Sequence, residues 1–434
     1  MGQKEMSNKD TICALATAPG GALGIIRISG PKAFPIVSSL CSVCCDTVAA
    51  NTIHYTNIAN DEGETIDEVM VAVFRAPHSY TGEDSVEISC HGSRYILNKV
   101  LELLMKQGCR MANPGEYTMR AYLNGKMDLS QAEAVADLIA STNKATHHMA
   151  MSQLRGGISS ELGNLRAQLL KMTSLLELEL DFSDHEDLEF ADRSELQQLA
   201  QQIGAHISQL AESFHTGQAL KEGIPVAIIG APNVGKSTLL NALLNEERAI
   251  VSDIQGTTRD TIEDTIQLGG ITFRFIDTAG IRHTSDTIEQ MGIERSINAA
   301  QRARIIIMIT EPGIPYPNIP TNDDQTVIHI KNKTEQFQAK FSIGIEALKR
   351  QLIAAAPSTS DSDIIITNAR HHDALVRAQQ SLHRVIEGLN MQMSGDLLSE
   401  NLRQVLDILA EITGTQITST EVLGNIFKHF CVGK

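Results

Sequence analysis

The run Gly230-Ala-Pro-Asn233-Val234-Gly235-Lys236-Ser237 constrains the fold more than any other stretch of the chain. It lies between the apolar run Val226–Ile229 and the apolar stretch Thr238–Leu244. A glycine-bounded turn between a buried strand and a helix aims successive backbone N–H groups at one point, at the positive end of the helix. That geometry cradles phosphate groups, and it requires a strand–turn–helix unit around it. Thr272–Ile276, Ile305–Ile309 and Val327–Ile330 are further short, apolar, β-branched runs. Strands buried on both faces of a parallel sheet read this way. Helical patterns alternate with them, so residues 223–360 are expected to form an α/β domain.

The loop assigns roles by chemistry. Lys236 is placed to neutralise β- and γ-phosphate oxygens, Ser237 to ligate Mg²⁺, and Asn233, Val234, Gly235 and Thr238 to line the phosphates. Asp277-Thr278-Ala279-Gly280 follows the strand ending at Ile276. There Asp277 would hold the Mg²⁺ shell through water and the Gly280 amide would sense a γ-phosphate. Between these motifs lies Ser252-Asp253-Ile254-Gln255-Gly256-Thr257-Thr258, and Thr258 is expected to close over Mg²⁺. Asn332-Lys333-Thr334-Glu335 resembles the base-reading motif of GTPases, with Glu335 where Asp is usual. A carboxylate accepts both the N1–H and the exocyclic amine of guanine, a donor pair adenine lacks, so a guanine nucleotide is expected. Ala339-Lys340 is an eroded form of the last nucleotide motif. Ile281 follows Gly280, and an apolar side chain cannot order an attacking water. Glu289, further along the same segment, is either the group that acts through water or an ordinary exposed acid.

The rest of the chain divides by pattern. Residues 1–125 read as mixed α+β, with β-like runs Gly24–Ile28, Val69–Phe74 and Ser85–Ser89 and a helix over Tyr95–Gln107. Residues 126–222 are helical, interrupted by the acidic stretch Asp181–Glu189, read as a solvated loop. Pro312–Asp324 is a loop and Ser358–Asp363 a linker. Residues 361–434 return to helical periodicity over Ala374–Ile412 and Glu421–Phe430. Insertion of the α/β domain into a helical one is the economical arrangement. The formal net charge of −16 argues against attraction of nucleic acid by bulk charge, so an RNA contact would use a local basic patch or a partner. The seven cysteines are odd in number and point to a reducing compartment. Cys41, Cys44 and Cys45 are either a fragment of a metal site or ordinary thiols. No apolar run approaches the ~20 residues of a membrane span, and there is no apolar core of a signal peptide. A cytoplasmic location with no membrane partner is expected.

Several runs together resemble one family. They are Gly24-Ile-Ile-Arg27-Ile-Ser-Gly30, Thr81-Gly-Glu-Asp-Ser-Val-Glu87, His91-Gly92, Pro114 through Lys126 to Ala134, Asp277 to Arg282, and the terminal Phe430-Cys431-Val-Gly-Lys434. With the nucleotide motifs, they make the chain similar to the tRNA-modifying GTPases of the MnmE (TrmE) family over nearly all its length. The resemblance implies an N-terminal domain that dimerises and binds a reduced folate, 5-formyl- or methylene-tetrahydrofolate, through Arg27, Glu87, Lys126 and Lys434. It implies a Ras-like P-loop G domain inserted into an all-α domain. It implies K⁺ in place of an arginine finger, held by Asn233, Ser252, Ile254 and Thr257 within a dimer of G domains, with Glu289 orienting the water. Cys431 is then either part of the modification chemistry or a packed terminal thiol. The implied partners are a second copy of the chain, tRNA, and the FAD-binding protein MnmG (GidA) in a heterotetramer or larger complex. The implied reaction installs carboxymethylaminomethyl or aminomethyl groups at C5 of the wobble uridine, with GTP hydrolysis driving a conformational cycle. The rivals are a ribosome-assembly GTPase that uses GTP as a timer, and a folate-dependent methyl-transfer enzyme.

Overall fold

The structure is a computed structural model that describes residues 10–181, 193–246, 264–276, 297–357 and 363–415, with 423, 426–428, 430, 431 and 433. The strands are β1 (Ile12–Leu15), β2 (Leu23–Ser29), β3 (Thr52–Ala59), β4 (Thr65–Phe74), β5 (Ser85–His91), β6 (Arg110–Met111), β7 (Ile224–Ile229), β8 (Asp264–Leu268), β9 (Ile271–Phe275), β10 (Ile305–Thr310) and β11 (Thr326–Lys331). The helices are α1 (Ala33–Leu40), α2 (Arg94–Lys106), α3 (Glu116–Leu123), α4 (Leu129–Ala140), α5 (Lys144–Leu154), α6 (Gly157–Asp181), α7 (Arg193–Glu222), α8 (Lys236–Glu246), α9 (Ile345–Ala355), α10 (Ala369–Asn390) and α11 (Gly395–Thr413). Two compact units result. One comprises Met1–Ile139, Gln153–Leu199 and Arg384–Lys434, the other Ala140–Ser152 and Ala200–His383. Among the described residues no helix is long and apolar enough to cross a membrane.

The first unit is built on a mixed sheet in the order β3-β4-β5-β2-β1-β6. Its strands alternate, as a sheet with one covered face must. In β2, Ile26 and Ile28 are buried while Ile25 and Arg27 are partly exposed. Val69, Val71, Val73, Val86 and Ile88 form one core with Phe34 and Val37 of α1 and Leu97, Val100 and Leu104 of α2. Behind β2 lies a buried polar network. Arg120 donates to Glu83, Glu116 and Asp10, and the Ser29 hydroxyl donates to Glu83. A buried guanidinium is tolerated because each of its neighbours carries the opposite charge. In the helical part of this unit α11 packs on α6, with Arg403 paired to Glu177 at 3.2 Å. The periodicity expected over Ala374–Ile412 is carried by two helices. The chain turns between them through Gln392 at φ +54°, and the Met393 amide returns to the Gly388 carbonyl at 2.9 Å.

Cys41 and Cys45 both direct their thiols at the Val43 carbonyl, and Cys44 is exposed. Burial pushes the Cys45 thiol up to about 11, so it stays protonated at neutral pH. Among the described residues no group of three or more His, Cys, Asp or Glu side chains is arranged to hold a metal.

The second unit carries a sheet in the order β11-β10-β7-β9-β8, parallel throughout except for the β8–β9 hairpin. All six residues of β10 are buried, as expected for a strand covered on both faces. The chain enters at central β7, builds β8 and β9 on one side, then crosses to β10 and β11 on the other. Strand order reverses at β7, and open α/β sheets bind ligands at the carboxyl end of the strands at such a switch point. The phosphate-loop sequence begins at that end. Helix α5 belongs to this unit too. Asn143 caps it by accepting the Thr146 N–H at 2.8 Å and donates to Thr272 Oγ1 of β9 at 2.8 Å. The Ala145 amide reaches the Gly270 carbonyl at 3.1 Å.

Candidate functional site

Gly230 follows β7 and begins the loop. A Cβ there would stand 2.3 Å from the Ile309 carbonyl oxygen, so the residue must be glycine for β7 and β10 to lie this close. Asn233 adopts φ +62° and Gly235 φ +97°. A Cβ on Gly235 would stand 2.4 Å from Asn332 Nδ2, so backbone conformation and space both require glycine. Helix α8 then starts at Lys236, which puts Ser237 and Thr238 in its first turn, where N–H groups lack intrahelical partners. The Ser237 hydroxyl and the Asn233 side chain have no hydrogen-bond partner among the described residues.

Lys236 Nζ donates to the carbonyls of Gly230 at 2.6 Å and Ala231 at 3.0 Å. Burial holds its pKa below the usual lysine value. A partly desolvated cation that rests on carbonyl dipoles gains by exchanging them for an anion, which fits a phosphate in this loop.

Among the described residues, the segment Asn332–Glu335 is joined to the loop through the Asn332 side chain. Asn332 is 4% exposed. Its Nδ2 donates to the Val234 carbonyl at 2.8 Å, and its Oδ1 accepts the Ala339 amide at 3.1 Å. The eroded last motif is thus held in place by Asn332 despite its altered sequence. Lys333 has φ +57° and its ammonium lies 2.5 Å from Glu311. Thr334 closes a tight turn, accepting the Phe337 amide on Oγ1 at 3.1 Å, and Glu335 stands exposed at its tip. Ser252, Asp253, Ile254, Gln255, Gly256, Thr257, Thr258, Asp277, Thr278, Ala279, Gly280 and Glu289 lie outside the described residues.

A second constellation lies in the first unit. Arg27 on β2 and Glu87 on β5 are cross-strand partners. The Arg27 Nε and Nη2 both approach Glu87 Oε1, at 2.8 and 2.7 Å, which leaves Oε2 without a partner among the described residues. Arg27 Nη1 donates to the Gly433 carbonyl at 3.2 Å. The guanidinium lies over the rings of Tyr80 and Tyr117, 5.5 and 5.7 Å from their centroids. Lys126 donates to the Pro77 carbonyl at 2.9 Å, and its stem runs beside Gly82. Cys431 is exposed, and its carbonyl accepts the Gly115 amide. Lys434 lies outside the described residues. Sequence reasoning missed Tyr80, Tyr117 and the Gly433 carbonyl. Tyr80 adjoins the Thr81–Glu87 run, and Tyr117 and Gly433 lie within the Pro114–Lys126 and Phe430–Lys434 runs, which were signals; that all three meet Arg27 is a matter of tertiary structure.

Known proteins resemble this chain over nearly its whole length. Residues 11–126 match the family described as "GTP-binding protein TrmE N-terminus", and residues 129–431 match the "MnmE helical domain". A protein of Phocaeicola vulgatus named tRNA modification GTPase MnmE is 51% identical, covering 99% of this chain and 100% of the relative. Relatives of the same name from Parabacteroides distasonis and Bacteroides thetaiotaomicron are 53% and 51% identical, each over 98% of this chain and 100% of their own length. The helical-domain match spans well over half the chain and the relatives align end to end, so the chain belongs to the MnmE family of tRNA modification GTPases, enzymes that hydrolyse GTP in tRNA modification.

Proposed function

We propose that GTP binds across the carboxyl end of β7, with its phosphates in the loop Gly230–Ser237 and its base against Asn332–Glu335 and Ala339. The observation that carries this is the Asn332 side chain, which ties the phosphate loop to both base-side segments. Lys236 exchanges its carbonyl partners for phosphate oxygens, and the first-turn amides of α8 hold the β-phosphate. Glu335 accepts the donor pair of guanine. Ser237 and Thr258 would hold Mg²⁺, and Asn233, Ser252, Ile254 and Thr257 would hold K⁺; both ions would supply positive charge to offset that of the phosphates. The Ser237 hydroxyl and Asn233 side chain, which have no hydrogen-bond partner among the described residues, fit these duties. Asp277 orders the metal's water shell, Gly280 contacts the γ-phosphate, and Glu289 orients the attacking water.

In the same reading the chain is a cytoplasmic homodimer whose residues 1–125 bind a reduced folate, with residues 126–222 and 361–434 forming a helical domain around the G domain of 223–360. Oε2 of Glu87, without a partner among the described residues, is suited to the N–H groups of a pterin, and Lys126 and Lys434 to the carboxylates of the folate tail. With MnmG and its FAD, the assembly would convert the wobble uridine to its carboxymethylaminomethyl or aminomethyl form, with Cys431 at hand for that chemistry. The first test is GTP turnover at matched ionic strength in KCl and NaCl, with ATP as control. Stimulation by K⁺ confined to GTP is expected. Turnover indifferent to the cation, or equal with ATP, would remove the potassium mechanism or the base selectivity respectively.

A further inference from the structure

Glu311 follows β10, and Asn332 and Lys333 follow β11. The two strands pair in parallel with Thr310 opposite Lys331, and the Asn332 amide donates to the Thr310 carbonyl at 2.8 Å. Both strands therefore deliver their next residues to the same sheet edge at which Gly230 ends β7. There Glu311 Oε1 meets Lys333 Nζ at 2.5 Å. Glu311 is the more buried partner, 24% exposed at its side chain against 59% for Lys333. Among the described residues Glu311 is the lysine's only ion-pair partner. The lysine's backbone is fixed as well, at φ +57° directly after the pinned Asn332. Backbone and side-chain end are thus both held, at a position between the phosphate loop and the exposed Glu335.

We infer that Glu311 is a positioning residue for the nucleobase half of the GTP site. By drawing the Lys333 ammonium to the sheet edge, it sets the lysine's methylene stem as a fixed wall beside the base. A lysine without that anchor samples many rotamers, and binding must then order it. A preorganised wall lowers that cost, so the effect falls on nucleotide affinity rather than on the chemical step. The inference rests on the reading that the loop and Asn332–Glu335 form the GTP site.

The test is titration of the full-length protein with a fluorescent GDP analogue, for wild type, E311Q, E311D, K333M and E311Q/K333M, with steady-state GTP turnover alongside. E311Q should weaken GDP binding about 2- to 5-fold, the upper range of a partly exposed ion pair. It should raise KM for GTP by a similar factor while kcat changes less than twofold. E311D, which keeps the charge, should recover most of the loss. In the K333M background E311Q should add nothing, because the residue it positions is gone. Wild-type affinity in E311Q, or an equal loss in the K333M background, would overturn the role of Glu311. K236A distinguishes the underlying reading. It should abolish GDP binding, and undiminished binding in that variant would mean that the nucleotide sits elsewhere.

Discussion

Replacing Asn332 by alanine tests the junction on which the proposed nucleotide site depends. The side chain satisfies the Val234 carbonyl and the Ala339 amide, whose residues are 1% and 2% exposed. Truncation strands one buried acceptor and one buried donor, each worth roughly 1–3 kcal/mol when left unsatisfied. Water entering the vacated volume recovers part of this, so about 2–4 kcal/mol remains. If that loss fell wholly on binding it would weaken GDP roughly 30- to 700-fold, at tenfold per 1.4 kcal/mol. Some of it falls on the stability of the empty protein instead, so the expected outcome is at least a tenfold weaker Kd together with a lower Tm. Asn332→Asp is the matched control. It keeps an acceptor for the Ala339 amide but sets a carboxylate oxygen against the Val234 carbonyl, so it should bind no better than alanine. Titration with a fluorescent GDP analogue and thermal unfolding without nucleotide read the two parts separately. An Asn332→Ala protein with Kd within threefold of wild type and unchanged Tm would refute the junction as the link between phosphate and base.

Four further substitutions carry expected outcomes. Glu335→Asp should tighten GTP binding, and equal or weaker affinity would show that the longer side chain already reaches the base. Glu289→Ala should lower kcat about 10²- to 10⁴-fold with GTP binding nearly intact; near-normal turnover removes it from the mechanism. Glu87→Ala should weaken binding of 5-formyl-tetrahydrofolate by at least about tenfold, as expected for loss of a charge-assisted contact, and isothermal titration that finds affinity unchanged would displace the folate from this site. Burial alone would raise the Glu116 pKa, but hydrogen bonds from Arg110, the Asn113 amide and Arg120 outweigh it and hold the carboxyl below its usual value. The unfolded chain then takes up this proton at higher pH than the folded one, so the group's contribution is full above pH ~4.3 and is lost as pH falls toward the folded value. Glu116→Gln should therefore flatten the acid limb of Tm against pH, and an unaltered limb would show that the network does not set acid stability.

Legibility in the sequence tracked how local each signal is. Strands β7 and β10 were readable because continuous β-branched runs are buried on both faces, and β11 was readable from its β-branched run although it alternates, burying Ile328 and Ile330 and exposing His329. Strand β3 was not, since its exposed residues include Ile53 and Tyr55 and its place depends on register with β4. Strand β8 carried a signal that apolar counting passes over. Gly269 and Gly270 sit at φ +60° and +80° between Leu268 and Ile271, the two-residue turn that hairpins favour. The phosphate loop was fully legible because its geometry lies in eight consecutive residues. The pairing of Arg27 with Glu87 was not, because sixty positions separate two residues that meet only when β2 and β5 pair.

The same contrast explains where the nucleotide motifs depart from the usual pattern. At Gly230 and Gly235 a single added methyl would meet backbone or a pinned side chain at 2.3 and 2.4 Å, so the fold itself forbids change there. Asn332 is fixed by two buried partners that no other side chain of its size satisfies at once. Glu335 stands at the exposed tip of the Thr334–Phe337 turn, whose hydrogen bonds are made by Thr334 and the backbone and not by Glu335. An extra methylene at that point costs the folded protein nothing, and only the ligand registers it. Likewise Ala339 answers to Asn332 through its backbone amide, which any residue but proline supplies, so the surrounding sequence can drift while the contact persists. In the proposed site the phosphate half is thus held by the requirements of the fold, whereas the base half rests on Asn332, the Thr334 turn and the Glu311–Lys333 pair and leaves Glu335 unconstrained, so selectivity for the base is the property that substitution in this chain can alter first.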